Sequence, residues 1–137
     1  MSEQGREQGI TVTGLAEVVL NVHDLDASLG FYRDLLGLTV LNPPELRAPV
    51  FLRAGETTGL PAMVALVPLA ADAPAFEAPR TLHHLALAVP AAEFDAAEQA
   101  LRAAGFEVRT GKHPVVSSRT MYIDDPDGNE VELITPL

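Results

Sequence analysis

Between residues 15 and 22, apolar side chains alternate imperfectly with Ala16, Glu17 and Asn21. This is the pattern of a strand with one face against a helix and the other lining something less apolar. Asp24 follows as an N-cap, Leu25, Leu29, Tyr32 and Leu36 recur at helical spacing, and Gly37 ends the run, which predicts a helix. Short strands are expected over 38–41, 49–54 and 62–67, separated by Asn42-Pro43-Pro44 and by a loop over 55–61. Residues 70–80, rich in Ala and Pro, read as a linker. The order then returns: a strand over 82–89, a helix over 91–104 with Phe94, Ala97, Leu101 and Ala104 on one face, Gly105, and strands over 106–109, 119–123 and 130–135. Residues 1–10, polar and without period, are expected to form a frayed tail.

The recurrence is a repeat in register. GLTV at 37–40 precedes GFEV at 105–108 by 68 residues, while 17–22 precedes 84–89, and 62–67 precedes 129–134, by 67. The economical reading is an α+β fold of two βαβββ modules, one over 11–69 and one over 81–137, joined by the linker at 70–80. Each sheet has one face covered by its own helix, so the uncovered faces are expected to form a shared open-barrel cleft.

Composition narrows the function. The 137 residues are 47% hydrophobic and 20% charged, enough apolar side chains to fill one core. Nineteen acidic residues against nine basic ones give a net charge of −10 without a basic block, so nucleic acid and anionic membrane are not expected partners. The longest apolar run falls well short of a membrane span, and the first residues lack a signal peptide's basic and apolar regions, so a soluble cytoplasmic protein is expected. The absence of cysteine removes thiolate chemistry and leaves His, Asp and Glu as the strong metal ligands.

Strand alternation places the candidates. In the strand at 82–89, His84, Ala86 and Ala88 share the cleft face, whereas Leu85, Leu87 and Val89 meet the helix. The same parity puts Glu17, Val19 and Asn21 of the first strand, and Glu130, Glu132 and Ile134 of the last, in the cleft. His83, of opposite parity to His84, and His23, at a strand end, are read as non-ligands. Two carboxylates and one imidazole, Glu17, Glu132 and His84, suit one divalent ion among Mn, Fe, Ni, Zn and Co, with positions left open for a small organic substrate carrying two neighbouring oxygens. The alternative is a hydrogen-bonded core histidine with two rim carboxylates. Met63, Met121, Phe51 and Tyr122 are expected to line the cleft or core, where aromatic and thioether groups favour an apolar ligand. Asp125-Pro126-Asp127-Gly128 reads as a turn.

The segments EVVLNVHDL at 17–25, FYRDLLGL at 31–38, HLALAV at 84–89 and DPDGNEVEL at 125–133 together resemble the vicinal-oxygen-chelate superfamily. That superfamily includes glyoxalase I, extradiol dioxygenases, methylmalonyl-CoA epimerase, fosfomycin-resistance enzymes and metal-free bleomycin-resistance proteins. The resemblance runs from Leu15 to Thr135 and implies metal ligands at Glu17, His84 and Glu132, with an optional fourth at Ala65. Two departures bear on the reaction. The family most often has His at position 17, and Ala65 removes the fourth ligand used by glyoxalase I and the epimerase. The stretch KHPVVS at 112–117 resembles a segment of small extradiol-dioxygenase-like proteins, which implies an acid or base role for His113. A metal-dependent enzyme of oxygenase or lyase type is therefore expected. The contrasting expectation is a metal-free protein that sequesters an apolar or cationic molecule beside Glu17, Glu130 and Glu132. Uncovered sheet edges and the resemblance both point to a homodimer, with each cleft formed within one chain or between two.

Overall fold

The computed structural model describes residues 9–137. Apart from Gly9 and Ile10, the expected tail lies outside them. The first module opens with β1 (Glu17–Val22). Asp24 then accepts a hydrogen bond from the Ala27 amide at 3.1 Å and caps α1 (Leu25–Leu29). The chain continues directly into a π-helical stretch (Gly30–Leu35), in which the Leu36 amide reaches back to the Phe31 carbonyl. Gly37, at φ +78°, lets Leu38 donate to the Tyr32 carbonyl and ends the helix. β2 (Thr39–Val40), β3 (Val50–Glu56) and β4 (Pro61–Pro68) complete the module. The second module comprises β5 (Leu85–Ala88), a 3₁₀ turn (Ala91–Glu93), α2 (Phe94–Ala103), β6 (Arg109–Gly111), β7 (Ser118–Asp124) and β8 (Glu130–Pro136).

The two sheets have the same topology, β1-β4-β3-β2 and β5-β8-β7-β6, with the first pair of each parallel and the rest antiparallel. Val18 stands opposite Val64 and Leu85 opposite Val131, so the register itself repeats at the spacing of the sequence repeat. Among the described residues no ladder joins the sheets, and they are not closed into a barrel.

Each sheet buries one face. Leu20, Val22, Leu52, Val64 and Leu66 of the first and Leu85, Ile123, Val131 and Leu133 of the second join Phe31, Tyr32, Phe94 and Leu101 in one core. Each large side chain removed from water contributes roughly 1.5–3 kcal/mol, so this face fixes the strand parity. Met121 belongs to the core, fully buried, so of the two places expected for it, cleft or core, it takes the core and offers no wall to a substrate. Adjacent strand residues face opposite ways, and of Met121 and Tyr122 only Tyr122 takes the other face. The strand expected over 106–109 starts at Arg109 because Phe106 turns inward onto Phe31, ring centroids 5.9 Å apart, and Val108 is buried.

Polar ties also join the modules. The buried Tyr32 hydroxyl donates to Asp125 Oδ2 at 2.6 Å. His23, just past β1, places Nδ1 2.7 Å from Asp127 Oδ1 and Nε2 2.9 Å from the Pro74 carbonyl. Arg80 donates to the Asp127 carbonyl and Asn129 Oδ1 while lying over the Phe76 ring. The connecting segment is thereby strapped to both modules. No helix of the described residues is long and apolar enough to cross a membrane.

Candidate metal centre

With Val131 and Leu133 in the core, Glu130, Glu132 and Ile134 fall on the face of β8 turned away from that core. Glu132 stands opposite Ala86 of β5 and Tyr122 of β7, flanked by a methyl group on one side and an aromatic ring on the other. It is 1% exposed, and its Oε2 is buried without a hydrogen-bond partner. A carboxylate in that position is costly unless something compensates it. His84 lies one residue before β5, with Nε2 3.0 Å from Glu132 Oε1 and its ring edge-on to Tyr122 at 6.0 Å.

This pair fits a divalent ion. Two ligand atoms each about 2.1 Å from one ion stand about 3.0 Å apart at the right angle of octahedral coordination and about 3.4 Å apart in a tetrahedron, so the pair needs little movement to hold an ion in either. One oxygen beside an imidazole nitrogen and a second oxygen unsatisfied make a donor set of the kind Mn, Fe, Ni, Zn and Co accept.

His83 differs from its expected place. β5 begins at Leu85, so strand alternation does not reach residues 83 and 84, and the two rings meet with Nδ1 atoms 2.9 Å apart. Together with Glu130 they form a group whose ligand atoms lie within 4.8 Å of one another. A strand from residue 82 would turn His83 to the face opposite His84, as expected of a non-ligand, but β5 starts three residues later. The signal available in the sequence was the His-His doublet itself. Glu130 is fixed from its other side by Arg109, 3.1 Å away, which also holds Asp124 at 2.9 Å.

The first module is the apolar counterpart. Ala65, Met63 and Phe51 take the sheet positions that Glu132, Glu130 and Tyr122 take in the second, Ala65 fully buried and opposite Phe51. Glu17, exposed and opposite Met63, is the carboxylate of this face. The three-residue donor group of His83, His84 and Glu130 includes neither Glu17, which lies in the first sheet, nor Glu132, which meets the group through its 3.0 Å contact with His84. Val19 and Asn21 line a cavity of about 580 Å³ with Phe76, Glu77 and Arg80. Another, of about 490 Å³, opens where Ala86 and Ala88 face Thr39 and Arg53. Both are in the size range of small-molecule sites.

Away from these residues, His113 Nδ1 accepts the Val115 and Val116 amides, each at 3.1 Å, and so shapes its own loop. Both ring nitrogens of His23 face acceptors, and the Pro74 carbonyl and the Asp127 carboxylate raise its pKa above the ordinary histidine value.

Residues 14–133 match the sequence profile described as glyoxalase/bleomycin resistance protein/dioxygenase superfamily. A lactoylglutathione lyase of Haemophilus influenzae is 30% identical over 126 residues, covering 88% of this chain and 90% of that protein. The crystal structure of a lactoylglutathione lyase from Agrobacterium tumefaciens is similar at 29% identity and a TM-score of 0.63, over 91% of this chain and 95% of that one. A glyoxalase/dioxygenase from Nostoc punctiforme shares the fold at 23% identity and a TM-score of 0.69, over 90% and 91% of the two chains. Paired modules in matching register, and a profile match spanning nearly all the described residues, place this chain in the glyoxalase/bleomycin resistance protein/dioxygenase superfamily.

Proposed function

We propose that the protein is a small-molecule enzyme that holds one divalent metal ion at His84 and Glu132 and acts on a substrate with two neighbouring oxygens, in a lyase- or oxygenase-type reaction. The observation that carries this reading is the 3.0 Å approach of His84 Nε2 to a buried carboxylate whose other oxygen has no partner. Glu17 is the proposed third donor. It lies on the other module's sheet, and we propose that a second copy of the chain brings it to His84 in a homodimer.

The ion, when bound, supplies Lewis acidity to a substrate carbonyl or enolate oxygen. The chain's own residues orient and enclose. Burial of Glu132 between Ala86 and Tyr122 fixes its carboxylate, and Tyr122, Met63, Val19 and Asn21 offer walls to an organic substrate. His113 enters as an acid or base only through Nε2, its Nδ1 being taken by the loop. The lactoylglutathione lyases among the similar proteins support the lyase type. Ala65, buried against Phe51, leaves no donor where the resemblance places a fourth ligand, so glutathione-hemithioacetal isomerisation is not the reaction proposed.

Elemental analysis after loading with Mn, Fe, Ni, Zn or Co tests the reading. One ion per chain is expected with at least one of these metals, and its loss in Glu132→Ala. No uptake by the wild-type chain would overturn the reading in favour of metal-free binding of an apolar or cationic molecule.

A further inference from the structure

The two Nδ1 atoms of His83 and His84, 2.9 Å apart, are within N–H···N distance, and one proton must lie between them. Which ring carries it depends on His84 Nε2. A neutral imidazole that ligates through Nε2 keeps its proton on Nδ1, and that N–H then needs an acceptor. His83 Nδ1 is the atom in place to accept it.

We propose that His83 is a positioning residue for the metal-binding histidine: with the ion seated between His84 Nε2 and Glu132, it accepts the Nδ1–H of His84 and so holds that ring in the tautomer that ligates through Nε2. This rests on the metal reading above. Metal-ligating histidines ordinarily give this second N–H to a carboxylate, a carbonyl or water. Here a neutral imidazole takes the part, with its own proton on Nε2.

The backbone makes the contact. Had β5 begun at residue 82, His83 and His84 would point to opposite faces of the sheet, but pairing starts at Leu85 and frees both rings to meet, edge to face at 5.1 Å. His83 is exposed, so apolar burial does not hold it there. Glu130 stands beside the two rings and is anchored by Arg109. The rival arrangement seats the ion on the opposite side of the ring, at both Nδ1 atoms and Glu130. That arrangement turns His84 Nε2 and Glu132 away from the ion, so one bound ion distinguishes the two.

The test is zinc affinity, measured by competition with a chromogenic chelator, for the wild-type chain and for His83→Ala, His83→Asn, Glu130→Gln and Glu132→Gln. His83→Ala is expected to weaken binding about 10–100-fold, the usual cost of losing such a partner. His83→Asn is expected to restore most of it, because the asparagine Oδ1 can accept where Nδ1 did. Nitrogen-15 spectra of the zinc-loaded protein should show His84 protonated at Nδ1. Wild-type affinity in His83→Ala, or no recovery in His83→Asn, would overturn the positioning role while leaving the metal reading intact. Binding abolished by His83→Ala and Glu130→Gln but retained in Glu132→Gln would place the ion on the Nδ1 side and overturn it too. A wild-type chain that takes up no zinc or other divalent ion would overturn the metal reading and this role together.

Discussion

Replacing Tyr32 by Phe removes a single oxygen from the contact between the modules. The Tyr32 hydroxyl is fully buried and donates to Asp125 Oδ2 at 2.6 Å. Burial, reinforced by the Asp125 charge, pushes the phenol pKa upward, so the hydroxyl remains a proton donor at any working pH. A hydrogen bond to a charged group is worth about 1.5–3 kcal/mol. The lower part of that range applies here. Asp125 keeps the Asn129 side-chain amide on Oδ2 and two backbone amides on Oδ1, and Phe fills the same ring volume, so no cavity opens. The expected loss is therefore about 1.5–2 kcal/mol. With a urea slope of about 1–3 kcal/mol per molar, the unfolding midpoint should fall by roughly 1 M at an unchanged slope. A double-mutant cycle with Asp125→Asn should return a coupling energy of at least about 1 kcal/mol. A Tyr32→Phe change below about 0.5 kcal/mol, or no coupling, would refute the assignment of this bond as a tie between modules.

His23 predicts a pH dependence of definite sign. Its folded pKa is raised, so its contribution is complete below the ordinary histidine value. As pH rises past that value the unfolded chain loses its proton first, and the contribution falls away until the pH passes the raised folded pKa. Stability should thus decline across this window in the wild-type chain but not in His23→Gln, and proteolysis within residues 70–82 should quicken over the same range. Equal slopes in the two proteins would exclude the strap. Light scattering should give twice the 14.6 kDa chain mass. A mass that stays monomeric at all concentrations would dispose of the homodimer. Mixing Glu17→Ala with His84→Ala chains should recover metal binding in mixed dimers, whereas an inert mixture would put the whole site in one chain.

Strand parity was legible because the core enforces it: Val18, Leu20 and Val22, like Val131 and Leu133, had to face the helices, and Glu132 was thereby turned to the opposite face. The repeat was equally legible, since both parallel pairs keep one register. Strand ends were not. Nothing in the alternation of residues 82–89 reveals that pairing starts at Leu85, and the contact between His83 and His84 follows from that one boundary. Nor does apolar spacing separate an α-helix from the π-helical stretch at Gly30–Leu35, because both keep Phe31 and Tyr32 inward. The bonds from Tyr32 to Asp125 and from His23 to Asp127 join residues about a hundred positions apart, and local pattern carries no such information. Glu17 shows the same limit: parity gives its face, but which His84 it meets is set by how the modules assemble.

The most direct measurement is anomalous diffraction from crystals of the metal-loaded protein, recorded at the absorption edge of the bound metal. One peak per chain is expected, about 2.0–2.2 Å from both His84 Nε2 and a Glu132 oxygen, with the His84 Nδ1 contact to His83 preserved. No peak at this pair in crystals of loaded protein, or a peak bound by His83 and Glu130 with Glu132 left out, would contradict that expectation.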